Sequence, residues 1–105
     1  MEIKESLEQS IREQPILVFA KGSKMFPRCG FSKAVIDTLN ALGVPFEVID
    51  IFEHEDIKPA LVAISSWPTT PQVFLGGEFI GGGDIVRELY ANGELRRMVD
   101  AVLVK

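Results

Sequence analysis

The sequence predicts an α/β domain in which helices cover both faces of a mixed four-stranded sheet. Two observations support this fold class. Helix-like and strand-like apolar spacings alternate along the chain without a repeat or a linker, so we expect residues 1–105 to form a single domain. A strand–helix–strand unit, whose strands must pair in parallel, is followed by a tight hairpin that adds two antiparallel strands.

The first half of the chain contains a helix, a strand, a second helix and a second strand. Residues 2–13 carry apolar side chains at every fourth position, which predicts an amphipathic helix. Ile16–Ala20 is an uninterrupted apolar run, as is typical of a strand buried on both faces. A second helical stripe of apolar residues follows and is stopped by Gly43. Phe46–Asp50 is the next predicted strand.

The second half of the chain adds a helix, a hairpin and two closing helices. Residues 54–64 are predicted to be helical. Gln72–Leu75 and Glu78–Ile80 are predicted strands, and the Gly76-Gly77 pair between them is typical of a two-residue hairpin turn. Asn92-Gly93 separates the two short helices that end the chain.

The composition excludes several classes of function. The net charge of −4 argues against a general nucleic-acid partner or an acidic membrane surface. No apolar stretch reaches the ~18 to 20 residues that a membrane-spanning helix needs. The single cysteine cannot form a disulfide within the chain, and the first residues have neither a secretory nor a transit pattern. We therefore expect a reducing, cytoplasmic location.

Cys29 is that single cysteine, and it lies between the first strand and the second helix, in the sequence Cys-Gly-Phe-Ser. A helix N-terminus and nearby cations lower the pKa of a thiol. The alternative, a buried and inert cysteine, is disfavoured because Pro27-Arg28 and Gly30 indicate an exposed loop. Ser32 stands where a C-x-x-C motif has its resolving thiol, so the chemistry of Cys29 needs a second sulfur from outside the chain.

Several motifs together resemble the monothiol glutaredoxins of the Cys-Gly-Phe-Ser class over nearly the whole chain. They are Lys21, the segment from Cys29 to Ser32, Trp67-Pro68-Thr69-Thr70-Pro71 and Gly81-Gly82-Gly83-Asp84. The resemblance implies a thioredoxin-like fold. It also implies a cis peptide bond before Pro71, which leaves the N–H and C=O groups of Thr70 free to pair with an extended peptide.

The resemblance implies glutathione as the ligand. The cysteine residue of glutathione would pair with Thr70, its γ-glutamyl end would meet the Gly82–Asp84 segment, and its glycine carboxylate would meet Lys21 and Lys58. The predicted glutathione-binding residues are Lys21, Cys29, Phe31, Lys58, Thr70, Pro71, Gly82, Gly83 and Asp84. Two of these depart from the family, which often has a cysteine or serine in place of Gly83 and commonly an arginine in place of Lys58.

The resemblance also implies an iron–sulfur cofactor. A [2Fe–2S] cluster takes four thiolates, so Cys29 and one glutathione from each of two chains would complete the set. We therefore expect a cluster-bridged homodimer, a monomer without the cluster, and cluster-accepting apo-proteins as partners, in cluster transfer, assembly and redox homeostasis. The alternative is a glutathione-dependent oxidoreductase that reduces protein–glutathione mixed disulfides. In the family, a loop like Gly22–Pro27 accompanies weak reductase activity.

Four of the residues have simpler structural interpretations, which the sequence leaves open. Lys21 could be a solvated surface lysine. Trp67 could be a packing aromatic, and the Asp84 side chain could cap the last-but-one helix instead of accepting a hydrogen bond from an ammonium group. His54, between two glutamates, is interpreted as a surface residue at a helix start and not as a metal ligand.

Overall fold

A computed structural model describes residues 2–104. Within them the chain forms five helices around a four-stranded sheet, and each predicted element is present. The elements in chain order are α1 (Ile3–Glu13), β1 (Ile16–Ala20), α2 (Gly30–Leu42), β2 (Glu47–Asp50), α3 (Ile57–Ser65), β3 (Gln72–Leu75), β4 (Glu78–Gly81), α4 (Gly83–Ala91) and α5 (Glu94–Leu103).

The sheet is mixed, as predicted, and its strand order is β2-β1-β3-β4. β1 pairs in parallel with β2, where Val18 lies beside Val48, and antiparallel with β3, where Val18 lies beside Val73. β4 extends the sheet as the antiparallel partner of β3. The central position of β1 places its carboxyl end, and the loop that carries Cys29, at the middle of one sheet edge.

The apolar run of β1 is explained by burial on both faces of the sheet. Ile16, Val18 and Ala20 pack under α2, α4 and α5, and Leu17 and Phe19 pack against α1 and α3. Successive side chains of a strand point to opposite faces, so a strand covered on both sides has no position for a polar residue. Each fully buried Val, Leu, Ile or Phe side chain contributes about 1.5–3 kcal/mol to the stability of the fold.

The turn between β3 and β4 has the conformation that the glycine pair predicts. The φ angles are 58° at Gly76 and 87° at Gly77. Two successive positive φ angles define the hairpin turn whose twist matches that of the flanking strands. The register of the two strands shifts between Val73 and Phe74, so their pairing is irregular at this point.

The predicted boundary of α3 is wrong by three residues at its start. The helix begins at Ile57, because residues 54–56 form a turn in which the Ile57 N–H donates to the His54 carbonyl. The Nδ1 atom of His54 accepts from the Asp56 N–H at 3.1 Å, and the side chain is exposed. β2 likewise begins one residue later than predicted, at Glu47.

None of the helices within residues 2–104 is both long enough and apolar enough to span a bilayer.

Candidate functional site

Cys29 is the N-cap residue of α2, at the carboxyl end of β1. The thiol is half-buried. Hydrogen bonds from the backbone N–H of Ser32, and to a smaller extent from that of Phe31, lower the pKa of Cys29 below its ordinary value, although burial opposes this change. The ammonium of Lys21 and the hydroxyl of Ser32 lower it further. The thiolate is therefore stabilised first by the open end of the helix and second by a cation.

Ser32 joins the cysteine to the lysine. Its side chain is fully buried, and its Oγ accepts a hydrogen bond from the backbone N–H of Lys21 at 3.0 Å. The Lys21 carbonyl accepts from the Arg28 N–H at 2.8 Å. Both backbone groups of Lys21 are thus held, which fixes the origin of its side chain beside Cys29.

The six residues Gly22–Pro27 form an ordered hairpin-like loop before Cys29. Gly22 and Pro27 form an isolated antiparallel bridge at the base of the loop. Asp50 Oδ1 accepts from the Gly22 N–H at 3.0 Å, which attaches this base to the end of β2. The Lys24 ammonium donates to the carbonyl of Phe46 at 2.8 Å and lies over its ring. The loop is therefore anchored at its base and near its tip.

A groove of about 330 Å³ opens beside Cys29. The residues that line it are Lys21, Cys29, Phe31, Thr69, Thr70, Pro71, Gly83 and Asp84. The groove is therefore lined by a cation at Lys21, a carboxylate at Asp84 and the thiol of Cys29. Such a groove can hold a small peptide that has both a carboxylate and an ammonium group.

The segment at Thr70-Pro71 has the conformation that the resemblance implies, since this peptide bond is cis. Gly82 lies close behind Pro71: a Cβ added at Gly82 would be 3.2 Å from the carbonyl oxygen of Pro71, a tight contact. A Cβ added at Gly83 would make only ordinary contacts with Phe31 and Pro71, at 3.9 Å. A larger residue at position 83 is therefore sterically acceptable.

The structure brings seven of the nine predicted glutathione-binding residues to this groove. Gly82 lines an adjoining pocket, which has three lining residues in common with the groove, namely Thr69, Gly83 and Asp84. Lys58 is exposed on α3 and is not among the described residues that line the groove. The glutathione contacts of all nine residues stay predictions.

The structure also bears on the open interpretations of Trp67 and Asp84. The Trp67 ring packs on that of Phe79, with 5.9 Å between centroids, and is 42% exposed. Asp84 lies in the first turn of α4, where its Oδ1 accepts from Arg87. Within residues 2–104 it makes no capping hydrogen bond. Its largely exposed carboxylate is thus accessible from the groove.

Three residues that position the site were missed by the sequence analysis. The sequence shows Ser32 only as the residue in place of a resolving thiol, whereas in the structure its side chain accepts a hydrogen bond from the Lys21 N–H. Asp50 Oδ1 accepts from both Gly22 and Phe52. Gln72 is fully buried and donates to two carbonyls of the preceding loop. A polar residue at the start of an otherwise buried strand was the available signal for Gln72.

Changing Ser32→Cys should allow a disulfide with Cys29. The two side chains are already adjacent at the start of α2, and C-x-x-C at a helix start is a spacing that forms disulfides. We expect faster oxidoreductase turnover and poorer retention of any cluster under oxidation, because the new bond competes for Cys29. Counting free thiols after mild oxidation measures disulfide formation. Two free thiols would show that the side chains at positions 29 and 32 are not adjacent.

Ser32→Ala is the matched control, since it removes the hydroxyl without adding a thiol. The Cys29 pKa should rise because the variant loses one hydrogen bond to the thiolate and loosens Lys21. The midpoint of the pH dependence of Cys29 alkylation should therefore move to higher pH.

Comparison with known proteins shows the family to which the chain belongs. A family model described as glutaredoxin matches residues 16–80. The chain is 45% identical, over 102 residues, to an uncharacterised monothiol glutaredoxin ycf64-like protein of Synechocystis, covering 97% of this chain and 95% of that protein.

Solved structures extend the similarity to the fold. The solution structure of reduced poplar apo GrxS14 superposes with a TM-score of 0.85 at 42% identity, covering 96% of this chain and 93% of that one. A buckwheat glutaredoxin–glutathione complex also has a TM-score of 0.85, at 29% identity, covering 95% of this chain and 89% of that one. The chain has a thioredoxin-like fold, and it belongs to the glutaredoxin family, among the monothiol members.

Proposed function

We propose that the protein binds glutathione in the groove beside Cys29 and, as a homodimer, carries a labile [2Fe–2S] cluster for transfer to other proteins. The observation that carries the proposal is a single thiolate-stabilised cysteine at one side of a groove with a lysine and an aspartate among its lining residues. A related buckwheat glutaredoxin forms a complex with glutathione.

The charges of the groove are complementary to those of glutathione. The Lys21 ammonium suits the glycine carboxylate, and the Asp84 carboxylate suits the γ-glutamyl ammonium. The backbone groups of Thr70 suit the extended cysteine residue by strand addition. In this arrangement the glutathione sulfur lies beside Cys29, so the ligand supplies the second sulfur that the chain lacks.

One chain by itself does not provide the ligands of an iron–sulfur cluster. Within residues 2–104 no group of three or more His, Cys, Asp or Glu side chains could hold a metal ion. A [2Fe–2S] cluster takes four thiolates. One Cys29 and one glutathione from each of two chains supply four, so the residues suit a shared cluster. Half of the ligands are then exchangeable small molecules, which favours release of the cluster as cargo.

A second candidate function is the reduction of protein–glutathione mixed disulfides, which the lowered pKa of Cys29 favours. The Cys29 thiolate attacks the glutathione sulfur, the protein–glutathione S–S bond breaks, and the protein thiolate leaves and takes up a proton. A second glutathione thiolate then attacks the Cys29–glutathione disulfide, which releases oxidised glutathione and restores the Cys29 thiolate. Each step exchanges one disulfide for another and needs no resolving thiol.

One paired experiment distinguishes the two functions. The protein is reconstituted without oxygen in the presence of iron, sulfide and glutathione, and its visible absorbance is recorded; the same preparation is assayed for turnover of a glutathione mixed disulfide. We expect a cluster absorbance that requires glutathione, with slow turnover. Fast turnover without any cluster absorbance would favour the oxidoreductase.

A further inference from the structure

Gln72 occupies an unusual position for a polar residue. It is the first residue of β3 and directly follows Pro71, and its side chain is fully buried. Phe19 lies opposite it on β1. A buried carboxamide is costly unless it is hydrogen-bonded, so the hydrogen bonds of Gln72 indicate why an amide occupies this site.

Both hydrogen bonds that Gln72 donates hold one loop, residues 67–71, which we call the proline loop. The Nε2 atom donates to the Trp67 carbonyl at 2.9 Å and to the Thr69 carbonyl at 3.0 Å. In the part of the chain that the structure describes, neither carbonyl has another hydrogen-bond donor. Gln72 is therefore the internal support of this loop.

The proline loop forms one wall of the groove, through Thr69, Thr70 and Pro71. Thr70 lies between two residues that Gln72 restrains, because Thr69 is held by the hydrogen bond and Pro71 is its neighbour in the chain. Gln72 itself is not among the residues that line the groove. Any effect it has on a ligand must act through the loop.

The second polar atom of the carboxamide shows that packing alone does not explain Gln72. Its Oε1 atom is buried and has no hydrogen-bond partner within residues 2–104. Turning the amide over would direct Oε1 at the two carbonyl oxygens, so the loop fixes the orientation of the amide. An apolar side chain of the same length would remove the unsatisfied Oε1, but it would leave the Trp67 and Thr69 carbonyls without a donor. The contribution of the amide is therefore the two hydrogen bonds that it donates to the loop.

We propose that Gln72 is a positioning residue for glutathione, because its carboxamide holds the proline loop so that the backbone groups of Thr70 are set for an extended peptide. This inference rests on the proposed function, in which Thr70 pairs with the cysteine residue of glutathione. Strand addition needs the N–H and C=O groups at a fixed spacing. A loop that is already ordered loses less conformational freedom when the ligand binds.

The variant Gln72→Met tests the proposal, since methionine has nearly the same length but donates no hydrogen bond. We expect the dissociation constant of glutathione, measured by calorimetry on the cluster-free protein, to rise about tenfold, because binding must then order the freed proline loop, a cost of about one fixed residue. The melting temperature should fall only slightly, because the Trp67 and Thr69 carbonyls lose their donor while the unsatisfied Oε1 is removed. The pH profile of Cys29 alkylation should not change, since Ser32, Phe31 and Lys21 are untouched.

A glutathione dissociation constant within twofold of the parent would overturn the inference. A measurement on the parent protein serves as a check that needs no variant: without glutathione, the side-chain amide protons of Gln72 should already be protected from exchange with solvent, while those of Gln9 and Gln14 should exchange rapidly. Rapid exchange at Gln72 also contradicts the proposal. If the parent protein binds no glutathione, the proposed function itself is wrong. If the parent and Gln72→Met bind glutathione equally, only the role of Gln72 is wrong.

Discussion

Cys29→Ser should form no cluster at any concentration of glutathione, whereas Lys21→Ala should form one when glutathione is raised. The two variants differ because Cys29→Ser removes an iron ligand, whereas Lys21→Ala removes a cation. A serine hydroxyl does not replace a soft thiolate as an iron ligand, so the loss at Cys29 cannot be compensated. Lys21 is proposed to bind a carboxylate of glutathione and contributes to the low pKa of Cys29, so its loss weakens binding.

The size of the Lys21 effect follows from the interactions that it would lose. A partly exposed ion pair contributes roughly 0.2–1 kcal/mol, and a charge-assisted hydrogen bond about 1.5–3 kcal/mol. At about 1.4 kcal/mol per tenfold, the glutathione affinity should fall by a few-fold to about a hundredfold. A glutathione titration of the cluster absorbance measures both variants against the parent.

Lys33→Ala is the matched control for this titration, because Lys33 is a lysine of α2 that pairs with Asp37 on the exposed helix surface. Its titration should superpose on that of the parent. If Lys21→Ala also follows the parent at every concentration, Lys21 is not a glutathione ligand and another group must bind the carboxylate.

Gly22→Ala should be the most destabilising of the glycine substitutions near the site. Gly22 has a φ angle of +96°, in the region that only glycine adopts readily. An added Cβ would lie 2.5 Å from the Phe26 carbonyl oxygen and 2.6 Å from the Arg28 nitrogen. Both are backbone atoms of the loop and cannot turn aside. We expect the free energy of unfolding to fall by about 3 kcal/mol or more.

Gly43→Ala measures the energetic cost of a positive φ angle without a steric clash. Gly43 ends α2 with a φ angle of +71°, but an added Cβ would meet no atom within 4 Å. Its substitution should cost only about 1–2 kcal/mol, the conformational part. Urea unfolding of both variants gives the comparison. Equal losses in the two variants would show that the tight closure of the Gly22–Pro27 loop is not what requires a glycine.

The fold was predictable from the sequence because its signals are local. The apolar run Ile16–Ala20 gave both bounds of β1, and the Gly76-Gly77 pair gave the hairpin turn. The start of α3 was not predictable in the same way. Its position depends on hydrogen bonds of the His54 turn, which apolar spacing does not reveal.

The candidate site was predictable only in part. The motif residues were found because they are contiguous or follow a strand end, and most of them meet at the groove. Whether Lys58 lines the groove could not be predicted from the sequence, because this depends on how α3 packs relative to the groove. The hydrogen bond from Lys21 to Ser32 joins residues eleven apart in the sequence, and only the folded chain shows it.

The low pKa of Cys29 serves either proposed function, so it does not distinguish the two. A thiolate is both the nucleophile of disulfide exchange and the ligand of iron. The missing resolving thiol at Ser32 does not distinguish them either, because the mixed-disulfide mechanism needs only Cys29. The paired measurement of cluster absorbance and mixed-disulfide turnover therefore decides between them.

We propose that two chains and two glutathione molecules share one cluster. Native mass spectrometry of the reconstituted protein tests it most directly, with light scattering of the same sample to give the mass in solution. We expect a dimer with one [2Fe–2S] cluster and two glutathione molecules, and a monomer once the cluster is removed. A single chain that holds a whole cluster, or a cluster-bearing dimer without glutathione, would contradict it.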